Sequence, residues 1–409
     1  MKKLCLLTLG LMASVSLSAQ VALLKDADKA FKGADNYAKY KSAEQLITPA
    51  FTNEETAKNP QTYWIPGKQA FKLYDDAQLQ QQLGKDVNLI EMGEMLMNGY
   101  RYGLKAMDND SLPDAKGKVK PKYSKEISGL IAGHLNDFIN VGSAFWDKQK
   151  YPEAYEAFIA YTQIPENPRY GSVAPKAPAD TMTAQILYYA GLAAWQGEML
   201  PQAADAFERM MKLGYNDMAA YDYAYSVAYQ LGDEAKKLKY SQIAFDKWGN
   251  AKPDFLQRII QSYINSKEYD KAMSTLQNAI NADPNNANYY YLLGVLYDDQ
   301  NNKEKSMELF KKALDLDPAG ALYNFSYGTA LLQQIERLED SDAVKNMSTQ
   351  DYNKYRVETL NPIYRESASY LEKAYELDPD NMRNALTNLK IIYYNLNDGD
   401  NLKRIEGLM

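Results

Sequence analysis

The sequence predicts an all-α fold: an α-solenoid of stacked antiparallel helix pairs, with irregular helical hairpins towards its N-terminal end. Three observations predict it. Ser226, Ile260, Gly294 and Gly328, at helix positions that want a small or packing residue, lie 34 residues apart three times in succession. Ala279 and Ala313 keep that interval, as do Pro284 and Pro318, which close helices in Asn-Ala-Asp-Pro and Asp-Leu-Asp-Pro. Around these marks, helix-period segments alternate with short turns, and no strand-like alternation is left. A two-helix unit of this length cannot bury its apolar face alone, so copies have to stack.

Residues 1–19 read as a signal peptide. Lys2 and Lys3 form a basic start, Leu4 to Val15 an apolar stretch too short to span a bilayer, and Ser16-Leu17-Ser18-Ala19 a run for cleavage before Gln20. The expectation is an exported chain: periplasmic, outer-membrane-associated or secreted. Cys5 is the only cysteine. It lies too far from the cleavage point to carry a lipid, and its removal excludes disulfides, a thiolate nucleophile and thiolate metal ligands. No later stretch is apolar enough to cross a membrane. Without Lys2 and Lys3, 44 basic residues face 53 acidic ones, a net of −9, and no run of Lys or Arg occurs. That balance argues against nucleic acid and against a polybasic membrane patch.

Residues 20–134 are expected to form atypical helical hairpins. Ala43 and Ile47 mark one helix, and Tyr63, Gly67 and Ala70 the next. Val87 to Met107 is apolar and Met-rich, with Gly93, Gly99 and Gly103 along it; Glu91, Glu94, Arg101 and Lys105 interrupt it, so it reads as a buried helix rather than a membrane segment. Asp108 to Lys122, with Pro113, Gly117 and Pro121, reads as a solvated linker.

From 135 to 409 the repeats are expected at about 135–168, 184–217, 219–252, 253–286, 287–320 and 321–380, with 381–409 as a terminal cap. Two departures interrupt the beat. Gly142 to Gly191 is 49 residues, 15 more than the interval, and the excess falls on the Pro-, Gly- and Ala-rich stretch 165–180, a loop. Pro318 to Pro379 is 61 residues, 27 more than the interval. The added segment, about Ile335 to Asn361, is charged and helix-compatible, with Ser348-Thr349-Gln350-Asp351 as a restart; it reads as two lengthened helices forming a projecting hairpin. In the tail, Leu386, Leu389, Ile392 and Tyr393 give the last helix one apolar face, as a cap requires.

In phase and residue type, the repeats resemble the tetratricopeptide repeat. The unit from Ala287 to Gly320 matches best, through Tyr290, Leu293, Gly294, Tyr297, Ser306, Phe310, Ala313 and Pro318. The unit before it carries Tyr263, Ala272, Leu276, Ala279 and Pro284, with Ile260 in place of glycine. Gly191, Ala203 and Phe207 mark another, and Gly142, Phe145, Ala154 and Phe158 a fourth. Small residues let two helices approach, aromatics fill the space between neighbours, and proline ends the second helix, so these are packing residues. The last hundred residues are similar to exported tetratricopeptide-repeat proteins of Gram-negative bacteria.

Catalytic patterns are missing. His134 is the only histidine, too few for a His-Glu-x-x-His zinc site, and no serine is marked as its partner. No glycine-rich phosphate loop occurs. Asp108, Asp110 and Asp114 lack the glycine and closing glutamate of a calcium loop. The chain is expected to be no enzyme and to need no metal or cofactor.

The resemblance implies a concave groove lined by the first helix of each repeat. At the positions it assigns to that groove stand Trp146, Tyr188, Trp195, Tyr223, Tyr291 and Phe325, with Gln257, Arg258 and Gln261 as hydrogen-bonding side chains. A row of rings gives a peptide rigid contact area. A helix rotated by one position would bury the same rings instead. The Lys and Asn clamp with which relatives hold a terminal carboxylate is replaced by Ile139 and Ser143, Tyr188 and Leu192, and Tyr291 and Val295. The reading is an exported, non-catalytic scaffold for a protein or peptide partner, with outer-membrane proteins as candidate associates. The alternative is a glycan-binding protein using the same rings.

Overall fold

The computed structural model describes residues 22–114, 116–252 and 254–409. The signal peptide expected over 1–19 lies outside them. Among the described residues every regular element is helical and no strand occurs. The chain divides into two units, one ending at Asp233 and the other beginning at Glu234.

The first unit holds α1 (22–32), α2 (Tyr37–Thr52), α3 (Pro60–Gln82), α4 (Leu89–Asp110), α5 (Ser124–Gly133), α6 (Asp137–Asp147), α7 (Tyr151–Gln163), α8 (Asp180–Gln196), α9 (Leu200–Lys212) and α10 (Met218–Gln230). Asn36, Asn59 and Asn88 accept backbone N–H groups at the starts of α2, α3 and α4. Prolines in the first turns of α3, α7 and α9 occupy places where no N–H is needed.

The Met-rich α4 is packed rather than spanning; no helix among the described residues is long and apolar enough to cross a membrane. Its glycines admit neighbouring side chains. A Cβ on Gly99 would lie 2.9 Å from the Phe71 ring of α3, and one on Gly93 2.9 Å from Phe145 of α6.

Residues 111–114 and 116–122 are exposed, as the sequence predicts for a solvated linker, but Asp108 and Asp110 belong to the end of α4. Asp110 is buried, and its carboxylate accepts the backbone N–H groups of Lys122, Tyr123 and Ser124 and the Ser124 hydroxyl, at 2.7–3.0 Å. It thereby serves the open N-terminus of α5, whose own cap residue, Tyr123, supplies no side-chain bond. Burial pushes the Asp110 carboxyl upward, but these four hydrogen bonds outweigh it and hold the group below its ordinary value. The stretch 165–180 is pinned in its first half by the 3₁₀ turn Pro168–Val173. Tyr170 is buried there, and Arg169 donates to the Asp108 carboxylate at 2.7 Å.

One contact recurs in both units. A Cβ on Gly142 of α6 would lie 2.5 Å from the Phe158 ring of α7, and one on Gly191 of α8 2.6 Å from Phe207 of α9. Each phenylalanine follows its glycine by 16 residues. The glycine lets the ring of the second helix rest on the backbone of the first.

The second unit holds α11 (Glu234–Trp248), α12 (Asp254–Asn265), α13 (Tyr269–Ala282), α14 (Ala287–Asp299), α15 (Lys303–Leu316), α16 (Ala321–Asp340), α17 (Asp342–Lys345), α18 (Thr349–Tyr355), α19 (Asn361–Leu377), α20 (Asn384–Asn395) and α21 (Gly399–Glu406). Gly294 of α14 meets Phe310 of α15 at 2.7 Å by the same measure. Gly328 of α16 meets Leu371 of α19, with the Ser367 hydroxyl donating to the Gly328 carbonyl at 2.7 Å. The residues between them extend α16 to 20 residues and carry α18 through the π-helical turn Arg356–Leu360 into α19. Leu360, Tyr364 and Leu371 share a core with Leu386, Leu389 and Ile392 of α20 and Ile405 of α21.

The turns inside the pairs repeat as well. Gln149, Glu198, Lys267 and Asn301 have φ of 58–60° and stand seven residues after Gly142, Gly191, Ile260 and Gly294. The next N–H in each case reaches back to the first helix: Lys150 to Phe145, Met199 to Ala194, Glu268 to Tyr263 and Asn302 to Tyr297, at 2.8–2.9 Å. This is a left-handed C-terminal cap that satisfies otherwise open carbonyls.

Phe207→Ala should destabilise the first unit by about 3–5 kcal/mol, because the site over Gly191 is left empty; an unchanged circular-dichroism melting curve would contradict the contact. Asp110→Asn should also destabilise, with a pH signature. A carboxyl held below its ordinary value stabilises the fold above that value, and the contribution is lost as pH falls through the folded one. The stability gap between parent and variant should therefore be full near neutrality and close below about pH 4. A gap constant down to about pH 3 would show that the charge has no part in the cap.

Candidate functional site

Residues seven apart on an α-helix lie on nearly one line along it. Tyr188 and Trp195 are so spaced on α8, and Tyr223 and Gln230 on α10. The two lines meet side by side. The rings of Trp195 and Tyr223 are 5.5 Å apart, those of Tyr188 and Tyr223 6.4 Å, and the Trp195 Nε1–H donates to Gln230 Oε1 at 3.0 Å. Tyr215, from the turn between α9 and α10, stacks on Tyr188 at 5.5 Å with 26° between the planes. Tyr189, 41% exposed, extends the row at 5.5 Å from Tyr188.

The row borders the core without entering it. Tyr188, Trp195, Tyr223 and Tyr215 are half-buried, and Tyr188 also lies 6.5 Å from Phe207, the ring seated on Gly191. Burial, and after it the charge of Asp217 and the neighbouring tyrosines, pushes the Tyr188 hydroxyl up to about 12. It remains a neutral donor at physiological pH. The site is thus a band of ring faces and hydroxyls held by two helices.

Trp146 stands apart from it. The sequence puts it in matching phase with Trp195, but its ring packs edge-on against Tyr151 at 5.2 Å and makes no ring contact with Tyr188 or Trp195. The helix that follows its pair starts only after the extra residues 165–180, so the phase that aligns α8 with α10 does not apply there.

Apart from Gln257, the second unit's candidates are packed or internally bonded. Tyr291 is half-buried against Phe310 and Tyr323, each 5.8 Å away, and Phe325 packs on the C-terminal core. Arg258 lies over the Phe255 ring at 5.7 Å, Gln261 donates to Asn265 at 2.9 Å, and Gln257 is exposed. Phase alone did not single out Tyr215 and Tyr189. Tyr215 sits in a turn outside the repeating positions; its one signal is Gly214-Tyr215-Asn216-Asp217, a turn glycine followed by a helix cap.

His134 has a structural environment. Its Nδ1 is 2.9 Å from the Asp137 carboxylate and its Nε2 3.4 Å from Asp75, while its ring lies parallel to Phe71 at 5.5 Å. Among the described residues no serine or threonine is bonded to it. Among the described residues no group of three His, Cys, Asp or Glu side chains is arranged to hold a metal ion.

Two family models match within the second unit: one described as tetratricopeptide repeat over residues 287–319, one as TPR repeat over 261–301. The chain carries tetratricopeptide repeats. Among solved structures, it is similar to YrrB, titled a TPR protein with an unusual peptide-binding site, at 22% identity, covering 44% of this chain and 85% of that one, with a TM-score of 0.29. The C-terminal part of a TPR repeat-containing protein from Cytophaga hutchinsonii is 15% identical, with 66% and 93% covered and a TM-score of 0.38. A TPR repeats protein from Bacteroides fragilis is 16% identical, with 67% and 99% covered and a TM-score of 0.34. At such scores these likenesses add nothing to the assignment. A search of curated proteins gives no match. Tetratricopeptide repeats make the chain a protein-interaction scaffold in its general character.

Proposed function

We propose that this scaffold holds an extended peptide segment of a partner protein on the α8–α10 surface. The observation that carries the reading is the joined row of Tyr188, Tyr215, Tyr223 and Trp195, rings held by helices yet left half-exposed. Aromatic side chains give large contact area with little loss of side-chain freedom, and rings already fixed by their neighbours lose less still. Gln230 anchors Trp195 and fixes its orientation. The proposal includes export, motivated by Lys2, Lys3 and the apolar run to Val15. No catalytic step belongs to it.

Tyr188→Ala combined with Trp195→Ala should weaken capture of a peptide partner by at least about 2 kcal/mol, read by calorimetry or fluorescence polarisation. The melting temperature should fall less than in Phe207→Ala. If the double substitution unfolds the protein as severely as that core change, the rings are packing and the proposal is wrong. For export, the protein recovered from its native host should begin at Gln20; an intact Met1 on the mature protein would overturn that part.

A further inference from the structure

We infer that the loop between α4 and α5 is a second contact surface, which docks the protein on an anionic phospholipid bilayer through its lysines and two exposed aliphatic side chains. It shares no residue with the α8–α10 row and does not depend on the peptide reading.

Lys116, Lys118, Lys120, Lys122 and Lys125 stand within ten residues. They alternate with other residues, so they form no unbroken run, and the acidic balance of the whole chain conceals them. All five are exposed. The acidic residues around them are engaged. Asp110 serves the start of α5, and Glu126 pairs with Lys68 at 2.6 Å. Asp114 accepts the N–H groups of Lys116 and Lys118 at 2.8 and 2.9 Å and faces a single ammonium group, that of Lys120, at 3.9 Å. Lys116, Lys118, Lys122 and Lys125 pair with no carboxylate among the described residues; Lys122 lies over the Tyr123 ring at 5.2 Å. The loop is shaped through its main chain. Besides the bonds to Asp110 and Asp114, the Asp114 N–H donates to the Lys118 carbonyl at 2.9 Å. The ammonium groups are left to face solvent.

Lysines alone would suit any polyanion, and the apolar side chains among them select the bilayer. Leu112 and Val119 are 47% and 53% exposed, and Pro113 and Pro121 beside them are exposed as well. At a bilayer surface such aliphatic groups enter the boundary between headgroups and acyl chains, while neighbouring ammonium groups meet the phosphates. A single-stranded nucleic acid would call for open ring faces on which bases stack. The loop's one ring, Tyr123, is half-buried beneath Lys122. The formal charge of −7 on the whole chain does not oppose the contact at this range, because charges more than about 8 Å away are largely screened at physiological salt.

The test is flotation with vesicles of phosphatidylcholine alone or of equimolar phosphatidylcholine and phosphatidylglycerol. The chain is taken from Gln20, which keeps every described helix and leaves out the apolar run Leu4 to Val15. It should float with the mixed vesicles only, and added salt should release it. A lysine near an anionic surface is worth about fivefold in affinity, so changing Lys116, Lys118, Lys120 and Lys122 to Gln should weaken attachment by at least about tenfold. Leu112→Ser combined with Val119→Ser should weaken it by roughly threefold or more, yet leave retention on inorganic polyphosphate unchanged. Both variants should melt as the parent does, since the bonds that shape the loop run through its main chain. If the parent does not float with the mixed vesicles, or the lysine variant floats as well as the parent, the loop is no docking surface. If polyphosphate retains the parent while the Leu112, Val119 variant floats undiminished, the loop is a general polyanion site and the bilayer assignment is overturned.

Discussion

The contact on which the architecture depends is a phenylalanine ring resting on a glycine 16 residues before it. Gly142 with Phe158, Gly191 with Phe207 and Gly294 with Phe310 would each bring an added Cβ within 2.5–2.7 Å of the ring. Only a missing side chain allows that approach. The contact fixes the register of each helix pair, and with it the face that the first helix turns away from its partner. On α8, Tyr188 and Trp195 lie three residues before and four after Gly191, on a stripe beside the buried one. The glycine that orders the core therefore also orients the candidate site.

Aromatic residues consequently do two jobs. Phe158 and Phe207 are 3% and 0% exposed and hold helix to helix within a pair. Tyr188, Tyr215, Tyr223 and Trp195 link the first helices of successive pairs and keep one side open. Because the two stripes are adjacent, Tyr188 touches Phe207 as well as Tyr223. A bound segment would press on side chains that the core already holds rigid.

Much of the fold was legible because the repeat multiplies a single message. One glycine in a helix says little, but glycines and prolines locked to a 34-residue interval specify paired helices. The site was less legible, for a geometric reason. Phase places Trp146, Tyr188, Trp195, Tyr291 and Phe325 at kindred positions, but the stripe borders the core, and neighbours decide on which side a ring falls. Tyr223 and Gln230 flank Trp195, whereas Tyr151 takes up Trp146 and Phe310 and Tyr323 take up Tyr291. Tyr215 comes from a turn and Asp110 acts across 12 to 14 residues, so neither role has a repeating sequence pattern.

The central claim, that the α8–α10 row is a binding surface and the glycine-seated rings are core, is tested most directly by a hydrogen–deuterium exchange footprint. Backbone exchange would be compared in the intact chain with and without a saturating peptide selected on it. The account predicts added protection in α8 and α10 and in the turn carrying Tyr215 and Asp217, with α14 and α15 unchanged. Protection elsewhere, with 188–195 and 215–230 unaffected, would contradict it.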